Sequence, residues 1–271
     1  MKFGSLFSKQ VVVRLTSSFL MAVPVIFFIL VGGVYFTVFV ALLAGIMSWE
    51  VTRTVCRPKN YFIEMGIGFV VVFLTLVLGL FFVPSFSETN FPLFSSLLII
   101  FAFVIRKVHL VARVGLGYLI VVFSCFCMIW LRSTVEVELF AWILLSVVAT
   151  DIGAFIVGSI IGGIKLAPNI SPNKTWAGLF GGIFSSLIVA WIFYLFWLEN
   201  NNPNLFILAI ILAIISQVGD LVESAYKRSY KIKDSSKLIP GHGGLLDRLD
   251  GHMAAGIFMS FILLYYDGAT M

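Results

Sequence analysis

Charge is nearly absent from most of this chain, and that absence limits what it can fold into. Runs of Leu, Val, Ile, Phe and Ala follow one another with few ionisable side chains between them. Of 271 residues, 61% are hydrophobic and 11% are charged. A soluble domain usually carries about 25% charged residues. A water-soluble surface cannot be made from so little charge, so the chain reads as an integral membrane protein of the all-α polytopic class.

A helix needs roughly 20 apolar residues to cross the hydrocarbon core. About nine stretches qualify, near 15–32, 33–51, 62–83, 91–105, 111–131, 138–162, 177–197, 204–224 and 245–266. The first two adjoin at Gly32-Gly33 and could be one broken unit. The N-terminus has early basic residues and then an apolar run, but no small-residue cleavage site, and another span follows at once. It reads as an uncleaved first helix. Cys56, Cys125 and Cys127 have no metal-ligand spacing and read as apolar packing residues. No soluble domain is evident. Residues 1–140 read as a transmembrane scaffold and dimerisation region, and 141–271 as a catalytic transmembrane region with polar loops.

The net charge of +5 is unevenly placed. Threading nine spans puts Lys2, Lys9, Arg14, Arg53, Arg57, Lys59, Arg106, Lys107, Arg113, Lys165, Lys174 and the 227–248 cluster on one side. Only Arg132 falls on the other. Lys and Arg favour cytoplasmic loops, so the N-terminus is predicted to be cytoplasmic and the C-terminus outside. The loops 163–176 and 225–244 then face the cytoplasm together, in a cell inner (plasma) membrane.

Three acidic features interrupt the apolar background. Asp151 lies well inside its span, where a carboxylate costs at least about 2.5 kcal/mol. It is expected to line a polar cavity or to hydrogen-bond between helices. Asp220 and Glu223 are three apart and share a helix face, and Lys227 follows two turns later. "KLIPGHGGLLDRLDG" (237–251) supplies Asp247 and Asp250 at the start of the last span. Its Pro and Gly content disfavours helix and suits a tight loop whose backbone approaches a ligand closely.

Carboxylates from two helices suit a hard divalent cation, and Mg²⁺ prefers oxygen ligands together with substrate phosphates. The competing reading is a helix N-terminus stabilised by acids in its first turn. Lys165, Lys174, Lys227, Arg228 and Arg248 lie at the same membrane level and suit phosphate. They also suit general attraction to anionic headgroups. In "APNISPNKTWAG" (167–178), Thr175 is a candidate N-cap.

These residues resemble the phosphatidate cytidylyltransferase (CDP-diacylglycerol synthase) family. "SAYKRSYKIKDSSKLIPGHGGLLDRLD" (224–250) resembles its signature at Ser224, Lys227, Arg228, Lys233, Asp234, Pro240, His242, Gly243, Gly244, Asp247, Arg248 and Asp250. "SPNKTWAG" resembles a second family segment, except that Ala177 stands where that segment usually has Glu. Tyr226 is a milder departure. The resemblance covers roughly 145–266.

It implies that CTP and phosphatidic acid give CDP-diacylglycerol and pyrophosphate, with Mg²⁺. It also implies a second, monovalent cation such as K⁺ and a homodimer. Asp220 and Asp247 are expected to hold metal, with Asp250, Asp151 and Glu223 as further ligands. Lys227 and Arg228 are expected to be catalytic, holding phosphates, with His242 as a donor. Lys174, Ser171, Thr175, Lys233, Arg248, Gly243 and Gly244 are expected to line the substrate site. No nucleic-acid partner is expected. Two rivals remain: a CTP-using lipid kinase, and a transporter with Asp151 and Asp220 on its ion path. The latter often carries internal repeats, and none is evident here.

Overall fold

A computed structural model describes residues 9–56, 70–82, 110–196, 204–241 and 243–265. Eight helices are present among them. They are α1 (Lys9–Val31), α2 (Gly33–Cys56), α3 (Val70–Leu80), α4 (Leu110–Thr134), α5 (Val137–Ile161), α6 (Trp176–Phe196), α7 (Asn204–Ser229) and α8 (Leu246–Tyr265). α3 runs into a π-helical turn, Leu78–Phe82. Five helices (α2, α4, α5, α6 and α7) are long and apolar enough to cross a membrane. The expected span near 91–105 lies outside the described residues.

The expectation of one broken unit at 15–51 resolves into two helices. Gly32 takes φ +65° between them. Arg132, in the last turn of α4, donates its Nε to Ile29 O at the end of α1 (2.8 Å). That bond satisfies a carbonyl that a helix terminus leaves without an intrahelical partner. The α1–α2 junction and the α4–α5 junction therefore lie at the same end of the bundle.

The opposite end gathers the polar loops. Ser17 of α1 donates to Pro240 O (3.2 Å), and Arg228 at the end of α7 donates to Ile170 O (3.3 Å). Of the basic residues that sequence reasoning sorts to one side, Lys165, Lys174 and Arg228 thus come from segments that touch one another; Lys2, Arg57, Lys59, Arg106 and Lys107 lie outside the described residues.

One feature departs from the all-helical expectation. Lys165–Ala167 (β1) and Ser171–Thr175 (β2) form a two-stranded antiparallel hairpin pairing Lys165 with Thr175 and Ala167 with Ser171. Sequence reasoning reads this stretch as loop, because strands this short show no alternating apolar pattern.

The core runs through both halves of the chain and includes Phe36, Met47, Leu131, Phe140, Trp142, Leu212 and Met259. The most extensive helix contact is between α5 and α6. A Cβ on Gly153 would fall 2.6 Å from Gly181 O. Small residues permit this close backbone approach, as in other lipid-embedded helix pairs. The outer faces of α5 and α6 remain apolar and exposed, with Phe155, Ile160, Phe180 and Phe184 pointing outward. Such large exposed apolar patches would be unusual on a soluble monomer and suit contact with lipid tails.

Candidate active site

The polar residues at the loop end fall into two groups. The first is open. Lys174, projected by β2, places its Nζ 2.7 Å from Asp220 Oδ2 on α7 and 3.3 Å from Gln217 O. Gln217, one turn before Asp220, donates its side-chain amide to Asp151 Oδ1 on α5 (3.1 Å). Ser224 donates to the other Asp220 oxygen (3.2 Å).

α8 closes in on the same place. A Cβ on Gly219 would fall 2.9 Å from Asp250 O, so the two backbones nearly touch. Asp250 accepts from Gly251 N–H (2.7 Å). Asp151 and Arg248 are exposed, and Asp220 and Asp250 are half-buried.

The second group is closed. Lys227 is buried and ion-pairs with Glu223 one turn earlier and with Asp247 Oδ1 at 2.7 Å. The Asp247 carboxylate also accepts Ser235 N–H (3.0 Å) and Gly244 N–H (2.8 Å). It thus ties α7, the 230–245 loop and the first turn of α8 together.

The double glycine of "GHGG" has a geometric reason here. Gly243 takes φ +87° and bridges back to Ile239. At Gly244 a Cβ would lie 2.0 Å from Ser235 Oγ and 2.5 Å from Glu50 Oε1. The N–H groups of Gly243 and Gly244 bond to Ile239 O and to Asp247, inside the loop. Sequence reasoning directs them at phosphate. It treats the loop as a ligand cradle without seeing the partners the loop makes with itself.

The remaining expected residues are placed as follows. Thr175 is buried and caps α6, accepting Gly178 N–H at 3.0 Å, as its position before the span predicts. Ser171 opens β2. Arg228 binds the hairpin and Ile232 O (2.8 Å), and Lys233 is exposed. His242 lies outside the described residues.

Two residues that sequence reasoning passed over have clear roles. Gln217 bridges Asp151 and α7. Glu50, on α2, is fully buried and reaches the loop and α8. The signal for Glu50 was present, since a carboxylate inside an apolar run is the same anomaly that draws attention to Asp151.

Asp151, Asp220 and Asp250 offer hard oxygen donors of the kind Mg²⁺ prefers. Among the described residues no group of three or more His, Cys, Asp or Glu side chains is placed to hold a metal ion by itself, so an ion here would need ligands from water or substrate phosphate. The lysine and the arginine suit an anion, and the carboxylates beside them suit a cation.

Fold and site together define a multi-pass helical membrane protein with a carboxylate–lysine cluster at one end. A model of the cytidylyltransferase family matches residues 12–266. The chain is 32% identical over 264 residues to the phosphatidate cytidylyltransferase of Bacillus subtilis, covering 93% of this chain and 97% of that protein. It is 42% identical over 132 residues to the Haemophilus influenzae phosphatidate cytidylyltransferase, covering 47% of this chain and 46% of that one. The Staphylococcus haemolyticus phosphatidate cytidylyltransferase is 47% identical over 116 residues, 42% of this chain and 45% of the relative. The chain belongs to the cytidylyltransferase family and is an enzyme.

Proposed function

We propose that the protein transfers the cytidylyl group of CTP to phosphatidic acid at the cytoplasmic membrane face, releasing pyrophosphate and forming CDP-diacylglycerol. The observation that carries this reading is the open Lys174–Asp220–Gln217–Asp151 chain of contacts, with Asp250 and Arg248 beside it. Family membership and the names of the relatives support the same reaction.

In this reading a lipid phosphate oxygen attacks the α-phosphorus of CTP, a new P–O bond forms, and the bond to pyrophosphate breaks. The attacking phosphate is already ionised at neutral pH, so no strong base is required. The barrier is repulsion between two anions. Catalysis of such steps rests on charges placed in advance where negative charge develops.

Asp220, Asp250 and Asp151 would hold Mg²⁺, which would supply charge neutralisation when bound. Lys174 pairs with Asp220 and would pass to a phosphate oxygen of the bound substrate. Arg248 is positioned for the same anion. Asp247, expected as a metal ligand, is assigned instead to holding Lys227 and the loop, because Lys227, Ser235 and Gly244 already occupy it; Glu223, also expected as a ligand, pairs with Lys227. The monovalent cation and the homodimer remain implications of the family resemblance.

The test is direct. Purified protein with labelled CTP, phosphatidic acid and Mg²⁺ is expected to release pyrophosphate and form a cytidylyl lipid. Release of CDP would point to a lipid kinase instead, and ion flux without either product to a transporter. Orientation is checked separately. Cysteine at position 237 should label from the cytoplasmic side and cysteine at position 201 from outside.

A further inference from the structure

Glu50 is the most completely enclosed carboxylate among the described residues, with no exposed surface. It sits on α2, nearly two hundred residues from its partners. Each of its oxygens accepts two hydrogen bonds. Oε1 takes Ser236 Oγ–H (2.6 Å) and Leu245 N–H (2.9 Å), and Oε2 takes Leu246 N–H (2.7 Å) and Ser235 Oγ–H (3.3 Å).

Leu245 and Leu246 open α8, so their N–H groups have no intrahelical partner. Local caps normally supply such partners from the residue just before the helix. Here the cap comes from a distant helix. The same carboxylate pins the two serines that follow Asp234. Gly244 leaves only enough room for it, as a Cβ there would fall 2.8 Å from Glu50 Cδ.

The loop held by Glu50 continues directly into Asp247, Arg248 and Asp250. Asp247 bonds to Ser235 N–H and Gly244 N–H, the neighbours of the groups that Glu50 binds. Any shift of α8 along its axis would move Asp250 and Arg248 relative to Asp220 and Lys174.

We propose that Glu50 is a positioning residue for cytidylyl transfer. Through the start of α8 it sets where Asp250 and Arg248 stand against α7, and through Ser235 and Ser236 it holds the loop closed. The proposal rests on the transfer reading above. It gives the N-terminal half a direct part in shaping the site.

The test compares wild type, Glu50→Gln and a control, Ser186→Ala. Ser186 makes a buried bond to Ala209 O between α6 and α7 and touches neither polar group. Glu50→Gln sets an amide –NH₂ against N–H and hydroxyl donors. Its kcat should fall roughly ten- to a hundredfold, since a small misplacement of reacting groups has effects of that order. KM for CTP should change less than kcat. Trypsin should cut after the exposed Lys233 and Lys237 of intact protein about tenfold faster, on the usual coupling of cleavage to local opening. Ser186→Ala should alter neither rate.

If Glu50→Gln does not fold, Ser236→Ala, which removes one of the four donors, should move both readouts in the same direction by a smaller factor. Unchanged kcat, or lost kcat with unchanged loop cleavage, would overturn the proposal. A wild-type protein that forms no cytidylyl lipid would overturn the transfer reading, and loop cleavage would then decide the Glu50 tie by itself.

Discussion

The open cluster of Asp151, Gln217, Asp220 and Lys174 and the closed cluster of Glu223, Lys227, Asp247 and Glu50 lie side by side, and both are rich in carboxylates. They differ in how those carboxylates are satisfied. In the closed cluster every Asp247 and Glu50 oxygen has a donor on a neighbouring element. The result is a rigid joint between α2, α7, the loop and α8. In the open cluster, among the described residues, Asp220 takes Ser224 and a single close lysine, Lys174, and Asp151 takes the Gln217 amide. Like charges held together repel, and a cation relieves that repulsion. The same residue type therefore builds a frame in one place and, on the reading proposed above, a reactive surface in the other.

Substitutions can disrupt each cluster separately. The largest effect is expected on the open side. Asp220→Asn should reduce transfer by about a thousandfold or more, because lost stabilisation of developing charge has effects of this size. Its thermal midpoint should barely move, since the side chain is a third exposed. Rate and melting measured on the same preparation check both halves of the statement.

On the closed side, Asp247→Ala should lower rate and stability together. Removing one partner from a buried ion pair costs about 3–5 kcal/mol, and Lys227 would keep only Glu223. A denaturation series on detergent-solubilised protein measures it. Gly244→Ala comes next, at about 1–3 kcal/mol for overpacking, because its Cβ would collide with Ser235 and Glu50. The smallest effect is expected at the cap of α6. Thr175→Ala should cost about 1 kcal/mol, and Thr175→Ser should restore most of it.

Much of this was legible in the sequence. Charge is costly in lipid, so its concentration between Asp220 and Asp250 marks the functional end of the bundle. The apolar runs locate α1, α2 and α4–α8 to within a few residues. The cap at Thr175 follows from its place before a span.

The division of labour between the two clusters was not legible, for a physical reason. Asp220 and Asp247 look alike in sequence. Whether a carboxylate is free for a ligand depends on which donors from distant segments reach it. Lys227 could as easily have faced phosphate as Asp247. Glu50 shows the same limit from the other side. Its anomaly is visible, but its partners lie across the fold. The β1–β2 hairpin stayed hidden because three- and five-residue strands carry too little pattern.

On the proposed reading, the open cluster does the chemistry and the closed cluster holds it in place. Pyrophosphate release from labelled CTP and phosphatidic acid, measured for wild type and Asp220→Asn at matched amounts of folded protein, tests it most directly. Mg²⁺-dependent release is expected from wild type and almost none from the variant, with matching melting curves. Undiminished release by Asp220→Asn would contradict it.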